Sequence, residues 1–81
     1  MRERLAESAH EIWAHWMRYM FTQGTYNDDG SWTMPADKAE RWKRQSVTLY
    51  DGLTEGEKAS DRKVADSYLS AAMSAFEEAQ T

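Results

Sequence analysis

Leu5, Ala9, Ile12, Trp13, Trp16, Met17, Met20 and Phe21 recur at three- and four-residue spacings, the period of an amphipathic helix with one apolar stripe. The spacing predicts a first helix over about residues 3–22. Gly24 then reads as its C-terminal cap, and Asn27-Asp28-Asp29-Gly30 as a turn of short polar residues that tolerate left-handed backbone. Residues 24–33 have the makings of a short β-ribbon around that turn. Pro35 suits the first turn of a second, short and basic helix running from Ala36 to Gln45. Ser46 to Leu53 carries alternating Val47, Leu49 and Tyr50 and reads as extended. Thr54 followed by Glu57 is a capping-box pattern, and it opens a third helix that runs to about residue 79. That helix carries Val64, Ala65, Tyr68, Leu69, Ala72, Met73 and Phe76 on one side.

The expected fold class is therefore mainly α: two long helices, one and three, packed into a core, a short basic helix, and an irregular aromatic-rich connection holding the β-ribbon. At 81 residues the chain has the size of one small domain, 1–81, burying roughly 60–65% of its unfolded surface. There is no internal repeat and no low-complexity stretch.

Four tryptophans are many for so small a core, and an indole offers a flat face and a single N–H to a ligand or partner. Charge narrows the choice. With 14 acidic against 10 basic residues, the chain lacks the positive excess of a general nucleic-acid binder, so no nucleic-acid polymer is expected as partner. No apolar run approaches the ~20 residues of a membrane span, and Arg2-Glu3-Arg4 lacks the apolar stretch of a signal peptide. The absence of cysteine fits a reducing compartment, so a cytoplasmic location without membrane contact is the expectation.

Metal and catalytic chemistry find little purchase. His10-Glu11-Ile12-Trp13-Ala14-His15 is one residue too long for a zinc HExxH pair, which puts its histidines about 140° apart around a helix. His10 reads instead as a core histidine bonded to its neighbours. Asn27 to Gly30 lacks the alternating ligands of a calcium loop, and glycines at 24, 30, 52 and 56 are too scattered for a phosphate loop. No nucleophile or acid/base pair stands out, so neither an enzyme nor a cofactor is expected.

Lys38, Arg41, Lys43 and Arg44 surround Trp42. Such a patch is either a solvated helix face or an anion site, in which Arg41 or Arg44 grips a phosphate while an indole stacks on a base.

Leu5-Ala6-Glu7, His10-Glu11-Ile12-Trp13, Gly24 with Tyr26, Tyr50-Asp51-Gly52-Leu53 and Glu57-Lys58 with Asp61-Arg62 together resemble the ryanodine receptor repeat, the RyR domain, over about residues 5–70. Thr25 stands where that family has a second tryptophan, no proline precedes Val47, and Thr54 replaces a proline. The resemblance implies long helices with short strands. It also implies an adenine-nucleotide site between paired repeats, in which Trp13 matches the stacking tryptophan, and hence a homodimer for a lone repeat. The resulting expectation is a small binder of an anionic nucleotide-like ligand, such as a viral sponge that removes a cyclic nucleotide or ADP-ribose-derived immune signal in the host cytoplasm. Trp13 with Trp32 or Trp42 would sandwich the base, Tyr26 would meet the ribose, and Arg41 and Arg44 would hold phosphate. The alternative is a protein-interaction or structural module that uses the same Trp and Arg residues as a hot spot. A concave pocket with converging arginines would favour the first, and a flat aromatic patch the second.

Overall fold

A computed structural model describes residues 1–80 of the chain. It is mainly helical: α1 (Arg2–Thr22), β1 (Thr25–Tyr26), β2 (Trp32–Thr33), α2 (Ala36–Ser46), a single 3₁₀ turn at Tyr50–Gly52, and α3 (Glu55–Gln80). Contacts divide these elements into two units. Unit 1 takes Met1–Ala14 and the chain from Thr54 onward, and unit 2 takes His15–Leu53.

In unit 1, α3 begins as the sequence indicates. The Thr54 N–H donates to Glu57 Oε1 at 3.0 Å and the Glu57 N–H donates to Thr54 Oγ1 at 3.2 Å, which closes the reciprocal capping box. Glu57 is buried, an unusual place for a carboxylate unless it is hydrogen-bonded as here. Arg4 of α1 and Glu78 of α3 form an ion pair, with a further Nε–Oε2 hydrogen bond of 3.3 Å, so the start of α1 meets the end of α3. A groove of about 470 Å³ runs along the same two helices, lined among others by Glu7, Glu11, Asp66, Ser67, Ser70 and Ser74.

The core expected from helices one and three is not built as such. Among the described residues only Ala75 and Glu57 are buried, and Leu69, Met73 and Phe76 are exposed. The reason is angular. At 100° per residue the seven apolar positions from Val64 to Phe76 fan across about 180° of the helix, too wide an arc to face one neighbour. The side that turns toward α1 carries small residues, Ser67, Ser70, Ala71 and Ser74.

In unit 2, β1 and β2 pair antiparallel in the register Thr25–Thr33 and Tyr26–Trp32, which confirms the ribbon. Its turn closes through Asn27 N–H to Ser31 O at 2.8 Å and Gly30 N–H to Asn27 O at 3.0 Å. Among the described residues Gly30 alone takes positive φ, +88°. The polar residues contribute hydrogen bonds instead of left-handed backbone: Asn27 Nδ2 donates to Ser31 Oγ and Thr33 Oγ1, both at 2.9 Å. Gly24, read as the C-terminal cap of α1, has no positive φ. Its role is space, because an added Cβ would come within 3.0 Å of the Trp32 indole and the Thr33 carbonyl oxygen.

Pro35 caps α2 from just outside the helix, with φ −62° and ψ 145°, rather than occupying its first turn. Residues 46–53 form no strand, although Leu49 and Leu53 keep extended backbone on either side of the 3₁₀ turn. Val47 and Thr48 N–H groups return to the carbonyls of Arg44 and Gln45 at 3.2 Å, and Thr48 Oγ1 donates to Arg44 O at 2.6 Å. A strand needs a neighbour for its backbone groups, and a helix end satisfies them locally.

Candidate interaction surface

Phe21 is the last aromatic residue of α1 and the hinge of an aromatic cluster in unit 2. Its ring stacks on Tyr26, with centroids 6.2 Å apart and an interplanar angle of 23°, and meets Trp32 edge-on at 5.7 Å and 81°. Tyr26 and Trp32 lie directly opposite in the ribbon, so their side chains leave the same face of the sheet and both reach Phe21. Gly24 lets the indole lie flat against the chain. Tyr26 is exposed and Trp32 half-buried. Trp32 Nε1–H is buried without an acceptor, a cost of about 1–3 kcal/mol that the ring contacts must exceed.

Tyr26 and Trp32 are thus brought together, through a residue that sequence reasoning assigned to the core stripe. The signal for Phe21 was its place at the end of the helix, three residues before the glycine that begins the ribbon. Trp13 lies in unit 1, exposed, with its ring stacked on His10 at 5.9 Å and 28°. His10 itself is exposed, which corrects its reading as a core histidine: three residues apart on one helix, it and Trp13 share a solvent-facing side.

Arg41, Trp42 and Arg44 all sit on α2, with both arginines exposed and Trp42 half-buried. Arg41 and Arg44 are three apart and share a side, whereas Trp42 projects about 100° from Arg41 and about 160° from Arg44. The helix by itself therefore turns the indole away from the side that the two arginines share. The groove in unit 1 has the wrong sign for a phosphate, since Glu7, Glu11 and Asp66 line it and Arg4 at its edge is already paired with Glu78. Among the described residues no group of three or more His, Cys, Asp or Glu side chains is placed to hold a metal ion. No described helix is long and apolar enough to cross a membrane.

The largest apolar exposure in unit 2 follows α2. Val47 is 84% and Leu49 86% exposed, with Tyr50 beside them also at the surface. The two aliphatic side chains stand almost fully in water because the backbone around them is spent on closing the helix end and the 3₁₀ turn.

The ribbon turn carries a clear electrostatic shift. Asp29 accepts from Ser31 Oγ at 2.6 Å and from Ser31 N–H at 2.9 Å, and these bonds, the hydroxyl first, hold its pKa below the ordinary 3.8. A depressed carboxylate contributes stability above its unfolded value, and that contribution is lost as pH falls through the lower folded value. A carbon-detected NMR titration should place the Asp29 midpoint below 3.8, and Ser31→Ala should return it toward 3.8. A midpoint at or above 3.8 in the parent protein would contradict the turn geometry.

Comparison with protein-family models, with curated proteins and with solved structures found no match to this chain.

Proposed function

We propose that this chain is a small protein-interaction module whose unit 2 presents aliphatic and aromatic side chains to another protein. The observation that carries the reading is the near-complete exposure of Val47 and Leu49. Burying two such side chains is worth about 3–6 kcal/mol, a gain that a protein partner can supply and that a small anion cannot. The acidic lining of the unit 1 groove weighs in the same direction.

The test compares the wild-type chain with a Val47→Ser, Leu49→Ser double variant as affinity bait at natural expression level. Both positions are exposed, so the variant should keep its helical circular dichroism. A partner protein recovered with the wild type, and bound directly by it in purified form at least about tenfold more tightly than by the variant, supports the reading. Equal binding by both proteins, or no direct binder, overturns it.

A second reading is capture of an anionic nucleotide-like ligand, favoured by the exposed face of Trp13. It accompanies a proposed kinship with the ryanodine receptor repeat, in whose pattern the Glu57-Lys58 and Asp61-Arg62 block opens a helix, as it does at the start of α3. Cyclic dinucleotides, cyclic ADP-ribose isomers, ATP and ADP-ribose tested by thermal shift and calorimetry separate the two. A ligand at one hundred times its dissociation constant stabilises the fold by about 2.7 kcal/mol. Silence across that panel removes the second reading.

A further inference from the structure

Aspartate precedes glycine twice in this chain, at Asp29-Gly30 and at Asp51-Gly52. In such a pair the aspartyl carboxyl is unusually open to attack by the next backbone nitrogen, because glycine has no Cβ to shield that nitrogen or restrict its torsions. Both bonds lie in tight turns of unit 2, and both glycine N–H groups are held alike. Gly30 donates to Asn27 O at 3.0 Å, and Gly52 to Leu49 O at 2.9 Å. The carboxylates differ. Asp29 accepts from Ser31 Oγ at 2.6 Å and from Ser31 N–H at 2.9 Å, which ties it to the residue beyond the glycine. Among the described residues no hydrogen bond or ion pair reaches the side chain of Asp51, which is exposed.

We propose that Asp51-Gly52 is a site of spontaneous isoaspartate formation in the folded protein, and that the ribbon turn latches the identical pair at Asp29-Gly30 against the same reaction. In the first step the Gly52 nitrogen bonds to Asp51 Cγ, the carboxyl C–O bond breaks, and the amide proton and the hydroxyl leave as water, closing a succinimide ring. Water then opens the ring. Addition at Cγ restores aspartate, whereas addition at the main-chain carbonyl of Asp51 breaks its bond to the Gly52 nitrogen, so that the chain continues through the side-chain carbon. No oxidant or other co-reactant is consumed. The net change is an extra methylene in the backbone, with a carboxylate left on the former main-chain carbon.

Ring closure requires the carboxyl to turn toward the glycine nitrogen and to carry a proton, since its oxygen leaves as water. At Asp29 both requirements are opposed: the Ser31 hydroxyl and N–H fix the carboxylate and favour its charged form. The Asn27 N–H to Ser31 O bond closes the turn, and the paired strands anchor its two ends. At Asp51 the glycine nitrogen is released by opening a single 3₁₀ turn. Its two bonds, Gly52 N–H to Leu49 O and Leu53 N–H to Tyr50 O, have the poorer geometry of that helix type. Local openings of this kind cost far less than global unfolding. The extra methylene would then carry Gly52 N–H out of register with Leu49 O and remodel the turn beside the exposed Leu49 side chain. The proposal rests on these two turns and does not depend on what unit 2 binds.

The unmodified protein carries its own control. It is incubated at mildly acidic pH, folded or in denaturant, and then digested with trypsin. Cleavage after Arg18 and Lys38, and after Arg44 and Lys58, delivers the two bonds in separate peptides. Isoaspartate in each is read by chromatographic separation of the isomers and by methyl transfer to the new carboxylate from an isoaspartate-specific methyltransferase. The folded protein should accumulate isoaspartate at Asp51 at least about tenfold faster than at Asp29, and in denaturant the two rates should converge to within about threefold. Ser31→Ala should raise the rate at Asp29 by at least about fivefold, the worth of one hydrogen bond, with the rate at Asp51 unchanged. Equal rates at the two sites in the folded protein, or a preference for Asp51 that persists undiminished in denaturant, overturns the proposal. So does a folded protein that forms none at Asp51 while the denatured chain does, or a Ser31→Ala protein whose rate at Asp29 stays at the wild-type level.

Discussion

Replacing Gly24 with alanine should lower stability by about 3 kcal/mol, at the upper end of what overpacking costs, and reduce the melting temperature by roughly 12–24 °C. The new methyl group would meet two indole carbons of Trp32 and the Thr33 carbonyl oxygen, all inside 3.0 Å. One of those obstacles is backbone and the other is a rigid bicyclic ring, so neither can swing aside as a lysine tip would. Relief requires the ribbon to lift from the chain, which also parts Trp32 from Phe21. Gly30→Ala is the control. Nothing lies near a Cβ at Gly30, and only its φ of +88° opposes the change, a torsional cost of about 1–2 kcal/mol. Thermal unfolding followed by tryptophan fluorescence should therefore rank Gly24→Ala well below Gly30→Ala. Equal losses would mean that the indole does not rest on Gly24.

Phe21→Ala should cost about 2–3 kcal/mol, measured by denaturant unfolding. The ring meets both Tyr26 and Trp32, and each aromatic pair is worth about 0.5–1.5 kcal/mol beyond the area it buries. Phe21 remains partly exposed, which keeps the loss below that of a fully buried phenylalanine. Tyr26→Ala makes the useful comparison. Tyr26 keeps most of its surface in water and stacks on Phe21, so its removal should cost about 1 kcal/mol or less. Such a split would mark Phe21 as the anchor of the cluster and Tyr26 as a side chain it presents. A Phe21→Ala protein as stable as the parent would dissolve the cluster as a structural unit.

Much of the fold was legible before any coordinates. The helical periods of α1 and α3 agree with the observed helices to within a residue or two, the capping box at Thr54 and Glu57 forms both of its hydrogen bonds, and the polar turn from Asn27 to Gly30 does join two short strands. The misreadings share a cause. Val47, Leu49 and Tyr50 alternate like a strand, but an extended segment needs a pairing partner, and none is supplied, so the chain closes the end of α2 instead. The candidate site was the least legible part. Tyr26 and Trp32 stand together, yet the residue that joins them, Phe21, reads in the sequence as part of a core stripe, and Trp13 belongs to the other unit.

What the sequence determined by itself is local: helix period, caps, turn chemistry and the pairing of a two-residue ribbon all act over a few residues, where spacing and hydrogen-bonding groups suffice. What only the tertiary structure decided is which apolar side chains find cover. An apolar arc as wide as that of α3 can turn either edge toward its neighbour, and the choice depends on what α1 offers across the gap. The Arg4–Glu78 pair and the small residues Ser67, Ser70, Ala71 and Ser74 lie on the inner side, which leaves Leu69, Met73 and Phe76 facing outward. Burial is a property of two surfaces at once, and a single strand of sequence states only one of them.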